Sequence, residues 1–91
     1  MIPIHELLAR IRWDPEFGRG RFEIAYRDHG SARLVRLPLD RIEFPPGEHF
    51  SFDAFGEDGT VHSVPYHRVR EVRRDGAVVW LRPEREPPAR R

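Results

Sequence analysis

The sequence has no cysteine, lysine, asparagine or glutamine, and only one threonine, Thr60. Without cysteine there is no disulfide, no thiolate metal site and no cysteine nucleophile. With lysine missing, all sixteen basic residues are arginine. Few thermolabile side chains, nine prolines and dense opposite charge fit a heat-adapted protein. Codon bias in a GC-rich genome produces the same arginine excess. Most of these arginines are therefore expected to be solvated ion-pair partners, each worth little. No apolar run approaches the roughly 18–20 residues of a membrane span. The opening Met1-Ile2-Pro3-Ile4-His5-Glu6 lacks the basic and apolar regions of a signal peptide. A soluble, cytoplasmic protein with no membrane partner is the expectation.

What remains is 91 residues, enough for one modest core. Net charge is +1 but unevenly spread. Between Asp40 and Gly59 six acids face Arg41 alone, whereas from Val61 to Arg91 eight arginines face four acids. An acidic middle and a basic C-terminal third attract anions locally, not globally.

Ile4, Leu7, Leu8 and Ile11 mark one apolar helical face, with Pro3 suited to its first position and Asp14-Pro15 to its end. Glu6 is spaced to pair with Arg10 one turn later. Phe22, Ile24 and Tyr26 alternate with Glu23, Ala25 and Arg27, and a turn at Asp28-His29-Gly30-Ser31 returns the chain through Leu34–Leu37. Short strands follow at Ile42–Phe44, Phe50–Asp53 and Thr60–Val64. A hairpin then closes at Asp75-Gly76 between Val69–Arg73 and Ala77–Leu81. This spacing predicts a mainly β (α+β) domain over residues 1–82. Its form is a small, strongly curved antiparallel sheet or partly open barrel with one short N-terminal helix. Residues 83–91, rich in proline and arginine, read as a disordered basic tail. The expected core draws on Leu7, Leu8, Ile11, Phe22, Ile24, Val35, Leu37, Ile42, Phe50, Phe52, Val64, Val69, Val72 and Val78.

A weak repeat of period 27 relates Leu34–Ile42 to Val61–Val69: strand, proline, two residues, arginine, β-branched residue. Proline fixes its own φ, so Pro38 and Pro65 each read as a rigid corner. The second corner carries Tyr66, His67 and Arg68, where the first has Leu39, Asp40 and Arg41. Arg68 presents a planar fork suited to phosphate, and His67 a second donor. Tyr66, Tyr26 or Trp13 suits stacking on a base or ribose. In the competing reading His67 and Arg68 satisfy corner carbonyls and pair with acids, while Trp13 caps the core and Arg12 pairs with Asp14. Both readings stand on residue chemistry alone.

The five histidines, at positions 5, 29, 49, 62 and 67, show no ligand spacing, so no metal is expected. His62 and Ser63 adjoin on a strand and point to opposite faces, which excludes a catalytic dyad. Glu57 and Asp58 lie in an exposed turn with nothing to shift their pKa values for acid–base work. Recognition without catalysis or cofactor is the expectation.

Ile11-Arg12-Trp13-Asp14-Pro15, Tyr26-Arg27-Asp28, Val64-Pro65-Tyr66-His67-Arg68-Val69-Arg70-Glu71-Val72 and Gly76-Ala77-Val78-Val79-Trp80 occur in this order. Together they resemble the RNA cyclic group end recognition domain family over about residues 3–82. The resemblance implies a module that binds processed RNA 3′ ends bearing a 2′,3′-cyclic phosphate or similar group. It also implies RNA ligase, phosphoesterase or nucleotidyltransferase partners. The positions it implies are Arg12, Trp13, Asp14, Tyr26, His67 and Arg68, and the corner chemistry adds Tyr66. His29 stands where the family is often basic, so a phosphate contact there depends on pH. The alternatives are a protein-interaction scaffold for an RNA-processing enzyme, and a cyclic-phosphate phosphoesterase with His67 as general base.

Overall fold

A computed structural model describes residues 2–28, 33–48 and 50–83. The turn tip at His29-Gly30-Ser31, His49 and the tail from Glu84 lie outside the described residues. Among the described residues, one α-helix, α1 (Ile4–Trp13), precedes seven strands: β1 (Phe22–Arg27), β2 (Leu34–Pro38), β3 (Ile42–Glu43), β4 (Ser51–Phe55), β5 (Val61–Pro65), β6 (Val69–Arg74) and β7 (Ala77–Leu81). They form two antiparallel sheets, β2-β1-β6-β7 and β3-β4-β5. The mainly β architecture with one helix is as expected, and its strands divide between two sheets without closing a barrel. No helix among the described residues is long and apolar enough to cross a membrane.

Pro3 sits one position outside α1, extended at φ −63° and ψ 149°. Ile4, Leu7 and Leu8 are buried, and Ile11 packs at the edge of the core. The expected Glu6–Arg10 pair gives way to Arg10 with Asp14 at 3.7 Å, where Arg10 also stacks on the Phe17 ring at 4.2 Å. Gly18 closes this exit because a Cβ there would meet the Ile11 carbonyl oxygen at 2.4 Å.

The hairpin β6–β7 turns through Asp75 at φ 52° and Gly76 at φ 86°, the left-handed pair that matches strand twist. Asp75 also accepts the Arg21 amide at 2.9 Å and donates its own to the Arg21 carbonyl at 2.7 Å, fixing the approach to β1. Register shifts interrupt both ladders of β6, between Ala25 and Tyr26 on β1 and between Val72 and Arg73 on β6. Such irregularities bend a sheet and re-aim side chains.

Ile24, Ala25 and Tyr26 are buried in succession, where strict alternation placed Ala25 outside. Ala25 pairs with Arg36 on one side and Glu71 on the other, and those side chains bond at 2.7 Å across it. The core departs from expectation at Phe50 and Val78, which are 80% and 48% exposed. Trp80 takes Val78's place: it pairs with Val72, and its indole Nε1 donates to the Ile2 carbonyl at 2.8 Å. Ile11, Val35 and Leu37 border the core instead of filling it.

Phe52, wholly buried on β4, lies between Tyr26 (6.2 Å, edge-on) and Tyr66 (5.5 Å). Phe52→Ala should cost about 3–5 kcal/mol. Phe50→Ala, two residues away and outside, should stay within about 0.5 kcal/mol. Urea unfolding of both variants checks the contrast.

Candidate nucleic-acid interface

Among the described residues, the chain changes sheets at its two proline corners. Pro38 (φ −63°, ψ 147°) leads from β2 of the larger sheet through Leu39–Arg41 into β3 of the smaller. Pro65 (φ −63°, ψ 143°) leads from β5 back through Tyr66–Arg68 into β6. Each corner is one 3₁₀ turn, closed by the Ile42 amide on the Leu39 carbonyl and the Val69 amide on the Tyr66 carbonyl. Three residues per turn place successive side chains about 120° apart, so Tyr66, His67 and Arg68 leave in three directions. Arg82 braces the second corner, donating Nε to the Val69 carbonyl at 2.8 Å and Nη2 to the Tyr66 carbonyl at 3.3 Å. Burial, and secondarily the nearby Arg70 charge, lower the Arg82 pKa.

Arg68 faces a cleft of about 700 Å³ between β2 and β5, the neighbouring edges of the two sheets. Arg27, Arg33 and His62 line it with Arg68, as do the acids Asp28 and Asp58. The Thr60 hydroxyl donates to Asp58 at 2.7 Å, so His62 Nε2 donates to Thr60 at 3.3 Å. The Thr60 hydroxyl and amide hold the Asp58 carboxyl below its usual range. The Ser63 hydroxyl bonds Ser51 at 3.3 Å, while the His62 ring bonds Thr60. The two side chains are thus held by different partners.

Tyr26 belongs to the wall of this cleft. The residue is 6% exposed and its ring packs edge-on against Phe52, so it presents no open face for a base. Burial first, then Asp28, raise its phenol pKa.

Tyr66 faces the other way. Arg12, at the end of α1, stacks over Phe44 at 4.6 Å and Trp13 at 5.6 Å. Trp13 is 75% exposed, which excludes a core-capping role. Burial raises the Tyr66 phenol pKa, and the Arg12 charge opposes that rise, placing Arg12 within electrostatic reach of the ring. The Phe50 backbone supports this corner: its carbonyl accepts the Tyr66 amide at 2.8 Å, and its own amide donates to Glu48 at 3.0 Å. Asp14 anchors the helix exit by accepting the Glu16 and Phe17 amides at 3.1 and 3.2 Å. The Phe17 bond contributes most to its lowered pKa.

The seven positions singled out in the sequence therefore divide. Arg68 and Tyr26 border the cleft; Arg12, Trp13 and Tyr66 form the platform; Asp14 holds its base; and His67 stands exposed at the corner's tip. The row Tyr26–Phe52–Tyr66 joins the two sides through the core. Arg27 falls in a motif that carries the family resemblance, whereas Arg33 and His62 in the cleft, and Phe44 under Arg12, carry no such signal in the sequence. The cleft between β2 and β5 and the end of α1 bring them in.

The two tryptophans should answer differently to a solvent quencher. Acrylamide should quench Trp13 strongly and Trp80, 5% exposed, weakly. Trp13→Phe should remove the quenched fraction, as Stern–Volmer plots would check.

No curated protein and no solved structure matches this sequence. The family model of the MJ1316 RNA cyclic group end recognition domain matches residues 1–82, from before α1 to just past β7. With nine-tenths of its length inside that match, the chain belongs to the RNA cyclic group end recognition domain family.

Proposed function

We propose that this protein is a non-catalytic RNA-binding module for processed RNA 3′ ends bearing a 2′,3′-cyclic phosphate or a similar terminal group. The family's description supports an RNA-end role. The observation that carries the reading is the gathering of Arg27, Arg33 and Arg68, from three separate segments, around one open cleft with His62 beside them. A cyclic phosphodiester is a compact monoanion with two free oxygens, and a guanidinium fork matches those oxygens. Arg68 is its principal contact, and His67, which leaves the corner in another direction, is a donor to the adjoining backbone.

The exposed Trp13, beside the Arg12 cation, offers a stacking face to a base of the bound RNA that lies outside the cleft. Tyr66 contributes to that platform, Tyr26 shapes the cleft wall, and Asp14 keeps the helix exit in place. A few phosphate contacts suffice for an RNA end, which suits a protein of net charge +1. The separate partners of His62 and Ser63 leave that neighbouring pair without a shared proton-transfer geometry, in keeping with recognition and not turnover. A ligase, phosphoesterase or nucleotidyltransferase acting on the same end is the natural partner.

RNA ending in a 2′,3′-cyclic phosphate should bind about tenfold or more tightly than the same RNA ending in a 3′-hydroxyl, the scale of one charge-assisted hydrogen bond. Arg68→Ala should erase the difference, and binding should quench Trp13 fluorescence. Equal affinity for both ends, unaffected by Arg68→Ala, would overturn the reading. A 2′,3′-cyclic mononucleotide should survive incubation; its turnover, abolished in His67→Ala, would make the protein an enzyme.

A further inference from the structure

The outer face of the larger sheet carries a second basic feature. A shallow groove of about 320 Å³ at the end of β1, β2, β6 and β7 is lined by Arg27, Arg36, Arg70 and Arg82 around Leu34 and Leu81. Among the described residues, Glu71 is the one acid in its lining. That carboxylate is already engaged by Arg36 at 2.7 Å and Arg73 at 3.3 Å, which holds its pKa below the usual range. Arg70 donates to the Arg82 and Pro83 carbonyls at 3.2 and 3.3 Å, keeping two like charges side by side. Leu34 and Leu81, 47% and 57% exposed, offer apolar surface between the cations.

Arg27 lines both this groove and the cleft that holds Arg68. It stands at the end of the β1–β2 ladder opposite Leu34, where the cleft passes round to the outer face. A chain whose end sits in the cleft thus meets a cationic path beyond it. Closely spaced guanidiniums with apolar patches between them suit a single-stranded phosphodiester backbone, with sugars or bases laid on the leucines.

We propose that the outer face of the β2-β1-β6-β7 sheet binds the single-stranded RNA backbone upstream of the terminal group, through the groove bounded by Arg27, Arg36 and Arg70. The proposal deepens the end-recognition reading and rests on it for the polarity of the strand. It makes affinity depend on RNA length through residues remote from Arg68.

The test compares a dinucleotide with a decanucleotide, both ending in a 2′,3′-cyclic phosphate, across a salt series. The decanucleotide should bind about tenfold or more tightly, with a steeper salt slope. Arg36→Gln/Arg70→Gln should abolish this gain and reduce the slope by about 0.7 for each phosphate no longer neutralised, leaving the dinucleotide unchanged. Leu81→Glu, which keeps every arginine and sits on an exposed edge position, should do the same and serves if the double variant folds poorly. A length gain that survives Leu81→Glu and the folded double variant overturns the proposal, and an acidic protein partner becomes the better occupant. If the dinucleotide fails to bind while the decanucleotide binds through this face, end recognition falls and the backbone surface stands. If neither oligomer binds, both fall.

Discussion

Two prolines govern how this chain encloses a core. Each locks its own φ at −63° and directs the strand into a single 3₁₀ turn, so the chain leaves one sheet and enters the other at a fixed angle. Through those crossings the four-stranded and three-stranded sheets share one core, in which Ile24, Val69 and Val72 of the first pack with Phe52 and Val64 of the second. The crossings also expose what each turn carries. At the first, Leu39 packs against the core and the Arg41 guanidinium donates to the Gly56 carbonyl at 3.3 Å. At the second, Tyr66 packs against Phe52, and Arg68 borders the cleft. The same geometry ties its arginine to a loop carbonyl at one corner and sets it against a cleft at the other.

The aromatic row Tyr26–Phe52–Tyr66 explains how so small a domain presents two surfaces without a large core between them. Phe52 is the shared neighbour, and its burial ties the cleft wall to the platform. Helix α1 adds the remaining parts. Its buried leucines fix it to the sheets, while its exit displays Arg12 and Trp13 beside the second corner. Trp80, bonded to the Ile2 carbonyl, holds the start of that helix against β7.

The all-arginine composition has structural uses that lysine would not serve as well. Arg82 and Arg41 bridge corner and loop carbonyls, and Arg36 and Arg73 share Glu71 above Ala25. Arg10, Arg12 and Arg74 lie over aromatic rings. A planar, delocalised cation stacks and donates in several directions at once. Many of the sixteen arginines thus shape the protein, and those on the cleft and the outer sheet face give it a polarity toward anions.

By itself the sequence determined the helix, the hairpins, the two corners and the family, because these rest on local periodicity, proline stereochemistry and motifs of adjacent residues. Glycine and aspartate at the β6–β7 turn, and the apolar face of α1, are legible for the same reason. The tertiary structure decided which side chains keep company. The register shift between Val72 and Arg73 put Trp80 inside and left Val78 outside, the Arg36–Glu71 pair covered Ala25, and neither leaves much mark on composition. Tyr66, His67 and Arg68 are neighbours in sequence yet point apart, since a 3₁₀ turn spreads consecutive residues around its axis. Arg27, Arg33 and His62 are distant in sequence from Arg68, and they join it because two sheet edges meet there.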